Sequence, residues 1–185
     1  MINLQNYKMS DDSETPLLLI LSILQARNIP AISNNNFILD AKLASEILST
    51  DPIPHNGPIT GYEINSELAW QISKKSLHEH RLKRTPLKIM VFAHDVKTNS
   101  RTPMGHIILD LRSLPLPDTL KTLLKSEKAT NIEDLDALQP KWYPILNHNY
   151  KNKESNKLVP AIFLKLHLES DDLTEMVQKS KEAEQ

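Results

Sequence analysis

The amino-acid sequence predicts an all-β fold, an antiparallel β-sandwich of eight strands, on three observations. Short apolar runs alternate with a period of two, turn residues separate them at sandwich spacing, and the composition suits a single core. Alternation is cleanest at Ile162, Leu164, Leu166 and Leu168, set against Phe163, Lys165 and His167. It recurs at Leu39, Ala41 and Leu43, at Leu68, Trp70 and Ile72, at Ile89, Val91 and Ala93, and at Ile107, Leu109 and Leu111. Successive side chains of a strand face opposite ways, so each run reads as a half-buried strand. Trp70 falls in phase with Leu68 and Ile72 and is expected in the core.

In chain order, residues 1–15 are polar and acidic and read as a frayed lead-in. The domain is expected over residues 16–169. Turn signals follow at Asn28-Ile29-Pro30, Asn34-Asn35-Asn36, Asp51 through Pro58, Thr85-Pro86, Thr102-Pro103, and Asn147 through Asn156. With three glycines against twelve prolines, the corners are built from Asn, Asp and Pro. Three stretches break the β rhythm. Ser73 to Arg84 reads as a short helix capped by Ser73, with Leu77 facing inward. Pro117 to Glu127 carries Leu120, Leu123 and Leu124 at helical spacing, inside a stretch over 113–139 that reads as an insertion. Asp171 to Glu184 predicts a short terminal helix in a charged segment over 170–185.

Composition removes several classes of function. The chain has 185 residues, 39% hydrophobic and 24% charged, too apolar for a disordered chain and large enough to fold without staples. With no cysteine, a disulfide scaffold, a thiolate zinc site and a cysteine nucleophile are excluded. Lys+Arg 22 against Asp+Glu 23 leaves a formal net charge of −1, which argues against an overall polyanion binder. The longest apolar stretch, Leu17 to Leu24, is broken by Ser22 and preceded by Asp11, Asp12 and Glu14. It is too short for a membrane helix and wrongly flanked for a signal peptide, so a cytoplasmic setting is expected.

No enzyme motif survives inspection. Gly57, Gly61 and Gly105 make no phosphate-cradling loop, and no Gly-x-Ser-x-Gly elbow occurs. His78-Glu79-His80 suggests a zinc helix, yet Leu82 stands where the second ligand belongs. Residues two apart on a helix point about 200° from each other, so the two histidines cannot share a metal there. The expectation is a non-enzyme with no metal and no cofactor.

Particular strings nevertheless resemble a known fold. Leu18 to Pro30, then Asn65 to Ile72, then Lys88 to Asp95 with Met104-Gly105, then Lys141-Trp142-Tyr143-Pro144-Ile145-Leu146 resemble successive strands of a C2 domain, in its type II topology. The string His78, His80-Arg81-Leu82 and Arg84-Thr85-Pro86, with Glu67-Leu68-Ala69-Trp70, Ile108 to Arg112 and Pro140 to Tyr143, is similar to the first C2 domain of the 120-kilodalton centrosomal protein family. The resemblance spans about residues 16–169. It implies a module of a longer centriolar protein of the cytoplasmic cytoskeleton and centrosome. Its implied role is centriole assembly, elongation and cilium formation, with tubulin, microtubules or other centriolar elongation proteins as partners.

Calcium-binding C2 domains gather about five Asp carboxylates on two loops, because the ion needs six to eight oxygen ligands. Here the first such loop, Ala31 to Asn36, has none. In the second, Ala93 and Thr102 stand at ligand positions and Asp95 alone matches, so it is expected to bond its own backbone in a turn. Calcium independence follows as an expectation. The loop tips offer only Ile32 and Phe37 as apolar groups, and Trp142 is expected packed under a turn. Charge placement is the remaining signal. Lys74, Lys75, Arg81, Lys83, Arg84 and Lys88 face only Glu79, with His78 among them. Such a run is either a solvated face or a docking patch for an anionic partner. Acidic tubulin surfaces satisfy it, and so does the alternative, a phosphoinositide membrane; no nucleic-acid motif is present.

Overall fold

One-sided burial is what sorts these residues into sheets. The computed structural model describes residues 16–30, 35–54, 62–117, 139–147 and 159–170. Within them lie nine strands and one helix: β1 (Leu17–Arg27), β2 (Asn35–Leu43), β3 (Glu46–Ser49), β4 (Ile53–Pro54), β5 (Tyr62–Ile72), α1 (Lys74–Leu82), β6 (Leu87–Asp95), β7 (Ser100–Leu109), β8 (Lys141–Pro144) and β9 (Ala161–Ser170). They form two antiparallel sheets, β5-β1-β9-β8 and β3-β2-β6-β7, with β4 paired to β2. The expected sandwich stands with nine strands rather than eight. The short β3 and β4 hydrogen-bond to β2 and bury little, so they leave no alternation to read.

The alternating residues of every run face the shared core. Trp70, Leu39, Val91, Ile162 and Leu164 are all buried there, Trp70 at 1% exposure. In β1 the inward phase Leu17, Leu19, Leu21, Ile23 shifts at Leu24 and resumes at Ala26. Opposite that point β5 carries Ile64 and Asn65 against one residue of β1, with Asn65 at φ +51°. This is a bulge, in which an extra residue bends the strand. Leu17 is the partner of Ser170, so β1 begins where β9 ends.

Several expectations are corrected. Thr102-Pro103 is not a corner: both lie inside β7, where the ladder to β6 passes from Val91–Gly105 to Phe92–Pro103 and skips Met104. Proline is tolerated there because β7 is an edge strand at a bulge. The corner is instead the hairpin closed by Asp95 and Ser100. Phe37 sits in β2 with its ring buried, not at a tip. Trp142 belongs to β8, where it packs on Phe163 (centroids 5.0 Å apart) and lies under the Arg27 guanidinium, 4.2 Å from its ring. The lead-in 1–15, the helices expected within 118–127 and 171–184, and the loop tip 31–34 lie outside the described residues.

After β8 the chain crosses from one sheet to the other. His106 N–H donates to Leu146 O at 3.1 Å, and Leu146 N–H returns a bond to His106 O at 2.8 Å. The Asn147 side-chain amide adds a bond to Met104 O. Among the described residues, the flank between β7 and β9 holds a cleft of about 420 Å³ lined by Leu109, Leu114, Tyr143, Leu164 and Leu166.

Candidate functional site

Helix α1 carries most of the cations singled out in the sequence, and its ends explain why it forms. Ser73 is the N-cap, extended at φ −88° and ψ 158°, and its hydroxyl accepts a bond from Ser76 N–H at 3.0 Å. At the other end, Thr85 N–H donates to His80 O at 2.9 Å and Arg84 N–H to Arg81 O at 3.2 Å. With Arg84 left-handed at φ +53°, this is a Schellman closure lacking its usual glycine. Leu77 is the helix's buried residue, at 1% exposure, and anchors it over the end of the sandwich where β5 ends and β6 begins.

The cations divide into two groups. Lys74, Lys75, His78, Lys83 and Arg84 are exposed, as is Lys88 on β6. Lys83 pairs with Glu79 at 3.5 Å in an exposed i,i+4 contact, which contributes little to stability. Arg81 behaves differently. It lies about 40° around the helix from Leu77 and folds inward beside it. Its Nε donates to Leu111 O at 3.1 Å and its Nη2 to Leu114 O, and desolvation lowers its pKa from the ordinary value. Arg81 therefore ties α1 to the 111–114 turn, while Lys74, Lys75, His78, Lys83 and Arg84 stay exposed. The signal for this was present in the sequence, since Arg81 follows Leu77 by four residues and shares its face.

Asp110 borders the basic surface. Its carboxyl is held down at about 2, first by the side-chain bond from Arg112, then by Arg112 N–H, with Arg84 adding a smaller attraction. The opposite end of the sandwich holds the second loop of the calcium argument. There Asp95 Oδ1 accepts Lys97 N–H at 2.8 Å and Thr98 N–H at 3.4 Å. Those backbone bonds, Lys97 first, lower its pKa. Asp95 is thus the turn residue expected. Ala93 is buried and Thr102 exposed. Among the described residues no three His, Asp or Glu side chains are grouped as metal ligands, and no helix is long and apolar enough to cross a membrane.

These two antiparallel sheets and their strand order define the class: the fold is that of a C2 domain. Among solved structures, the chain is similar to part of human GIVD cytosolic phospholipase A2 (TM-score 0.51, 11% identity, covering 85% of this chain and 17% of that one). It is also similar to a C2 domain of plant Extended Synaptotagmin 1 (TM-score 0.49, 12% identity, covering 85% of this chain and 96% of that one). At such identities the likeness concerns the fold alone. No protein-family model matches. In sequence, the chain is homologous to the Centrosomal protein of 120 kDa, 36% identical over 156 residues to that of Xenopus tropicalis and 35% over 155 to that of Homo sapiens. Each alignment covers 84% of this chain, which spans 15% of the frog protein and 13% of the human one.

Proposed function

We propose that this chain is a non-catalytic, calcium-independent C2 module of a centriolar protein, which docks an acidic partner on the exposed cations of α1. The partner class is tubulin, a microtubule or another centriolar elongation protein, and the role is centriole elongation and cilium formation at the centrosome. One observation carries the reading: Leu77 and Arg81 fix the helix to the body, so Lys74, Lys75, His78, Lys83 and Arg84 are presented on a rigid support. A support ordered beforehand loses less freedom on binding, which favours docking over a merely solvated face. Asp95 bonded to its own turn, with Ala93 and Thr102 beside it, supports calcium independence.

The test is sedimentation with microtubules and, separately, with anionic liposomes, each at two salt concentrations. Reversing Lys74, Lys75, Lys83 and Arg84 to Glu should abolish microtubule binding and leave the domain folded, and salt should weaken the parent's binding through screening. A folded quadruple variant that binds microtubules as well as the parent would remove α1 from the mechanism. Binding to liposomes alone would assign the surface to membranes.

A further inference from the structure

Cross-strand register places four side chains in one row on the outer face of the five-stranded sheet. Ile47 opposes Lys42, Lys42 opposes Lys88, and Lys88 opposes Ile108. Directly opposed residues share a face. All four are exposed, Ile47 at 54% and Ile108 at 52%. Neither lysine has an ion-pair partner among the described residues. Two acids two residues along from the row are already engaged, Asp40 with Arg101 at 3.1 Å and Asp110 with Arg112. Folding does not favour this row: like charges set opposite each other destabilise a sheet, and the isoleucines at its ends face water.

We infer that the row is a docking surface for an extended acidic segment of a protein partner, with an apolar side chain at each end and a carboxylate between them. Charge fixes the middle, since one carboxylate reaching between two ammonium groups removes their repulsion. Spacing fixes the rest. Three inter-strand steps of about 4.8 Å set the isoleucines about 14 Å apart. In an extended chain, residues i and i+4 lie about 13 Å apart on the same side, with i+2 midway and facing the same way. A helix needs about nine steps to cover that distance, and residue i+9 points to the opposite side from residue i. The fitting pattern is therefore apolar-x-acid-x-apolar. The inference rests on the reading of this domain as a docking module for acidic proteins, and extends that surface from α1 through Lys88 onto the sheet.

The test uses fluorescence anisotropy with the whole chain and a labelled peptide, Ser-Glu-Ile-Glu-Glu-Glu-Ile-Glu-Ser. The control has the same composition with its isoleucines adjacent. The spaced peptide should bind about tenfold more tightly than the control, and Ile47→Ser or Ile108→Ser should remove that preference. Lys42→Glu should weaken the spaced peptide about tenfold yet raise Tm by about 1–4 °C, because a repulsive pair becomes an attractive one. Equal binding of the two peptides, or unchanged affinity in Lys42→Glu, overturns the inference. So does binding to phosphatidylserine vesicles without binding to either peptide. The α1 charge reversal separates the two readings. Loss of microtubule binding with peptide discrimination intact supports both, and microtubule binding without peptide discrimination sinks this one alone.

Discussion

Gly105→Ala tests whether the crossing at Leu146 sets the geometry of this sandwich. Gly105 has φ +151°, a region that residues with a side chain rarely adopt. A Cβ there would lie 2.6 Å from Ile145 Cγ2 and 2.7 Å from Leu146 O. The methyl of Ile145 can rotate away, but the carbonyl belongs to the bridge with His106 and cannot move without breaking it. The backbone conformation contributes about 1–3 kcal/mol of strain. Losing the two bridge hydrogen bonds costs about 0.5–1.5 kcal/mol each. The expected destabilisation is about 2–6 kcal/mol, a large share of the ~5–15 kcal/mol typical of a domain. Urea unfolding followed by tryptophan fluorescence reads it directly, since Trp70 is buried. A loss below about 1 kcal/mol would refute the reasoning. The Gly105→Ala, Ile145→Ala double variant sharpens the test, because it removes the movable neighbour and leaves the carbonyl and the strained φ. A double variant as stable as Ile145→Ala alone would show that the side chain alone was responsible, since Ile145 is buried and its truncation carries its own cost.

Leu77→Ala should lower stability by about 2–5 kcal/mol in the same urea assay, because it empties the anchor beneath α1 while keeping every charge. Arg84→Gly should raise stability by about 0.5–1 kcal/mol, since glycine relieves the left-handed Schellman position at some entropic cost; a destabilised variant contradicts the capping assignment. Asp110 is held at about 2 in the fold against an ordinary value near 4, so its stabilising contribution is complete above about pH 4 and lost as pH falls through 2. Parent and Asp110→Asn should therefore differ in urea midpoint at pH 5 and converge near pH 2. A constant gap across that range would place the effect elsewhere.

What the sequence makes legible here is local. Alternation exposes a strand when one face is buried, which is why Leu39 to Leu43 and Ile162 to Leu168 were readable. Helix α1 was readable because Ser73 and Leu77 carry their signals within one turn. Asp95 was readable because its partners are two and three residues away. Non-local geometry was not. The opposition of Lys42 and Lys88 depends on a register set by the whole β2–β6 ladder, 46 positions apart in sequence number by subtraction. The inward face of Arg81 is legible from its four-residue spacing to Leu77, but its acceptors, Leu111 O and Leu114 O, belong to a distant turn that no local pattern reveals. Thr102-Pro103 looked like a corner because proline within a strand is decided by the edge position and the bulge, which no short window contains.

The pairing of Leu17 with Ser170 sets how this domain would respond to tension. Chain entering β1 and chain leaving β9 depart side by side, at the end that carries α1. A pull applied through both would open the β1–β9 ladder like a zipper, one rung after another, instead of shearing all its bonds together. Among the described residues, β9 from Ser170 back to Lys165 pairs with β1 alone, since β8 reaches only from Ala161 to Leu164. The first rungs would therefore yield at low force, and resistance would rise when the opening reached Leu164. A partner seated across α1 would bear on that same end, so its load and the strain along the chain would meet at the weakest point of the sheet.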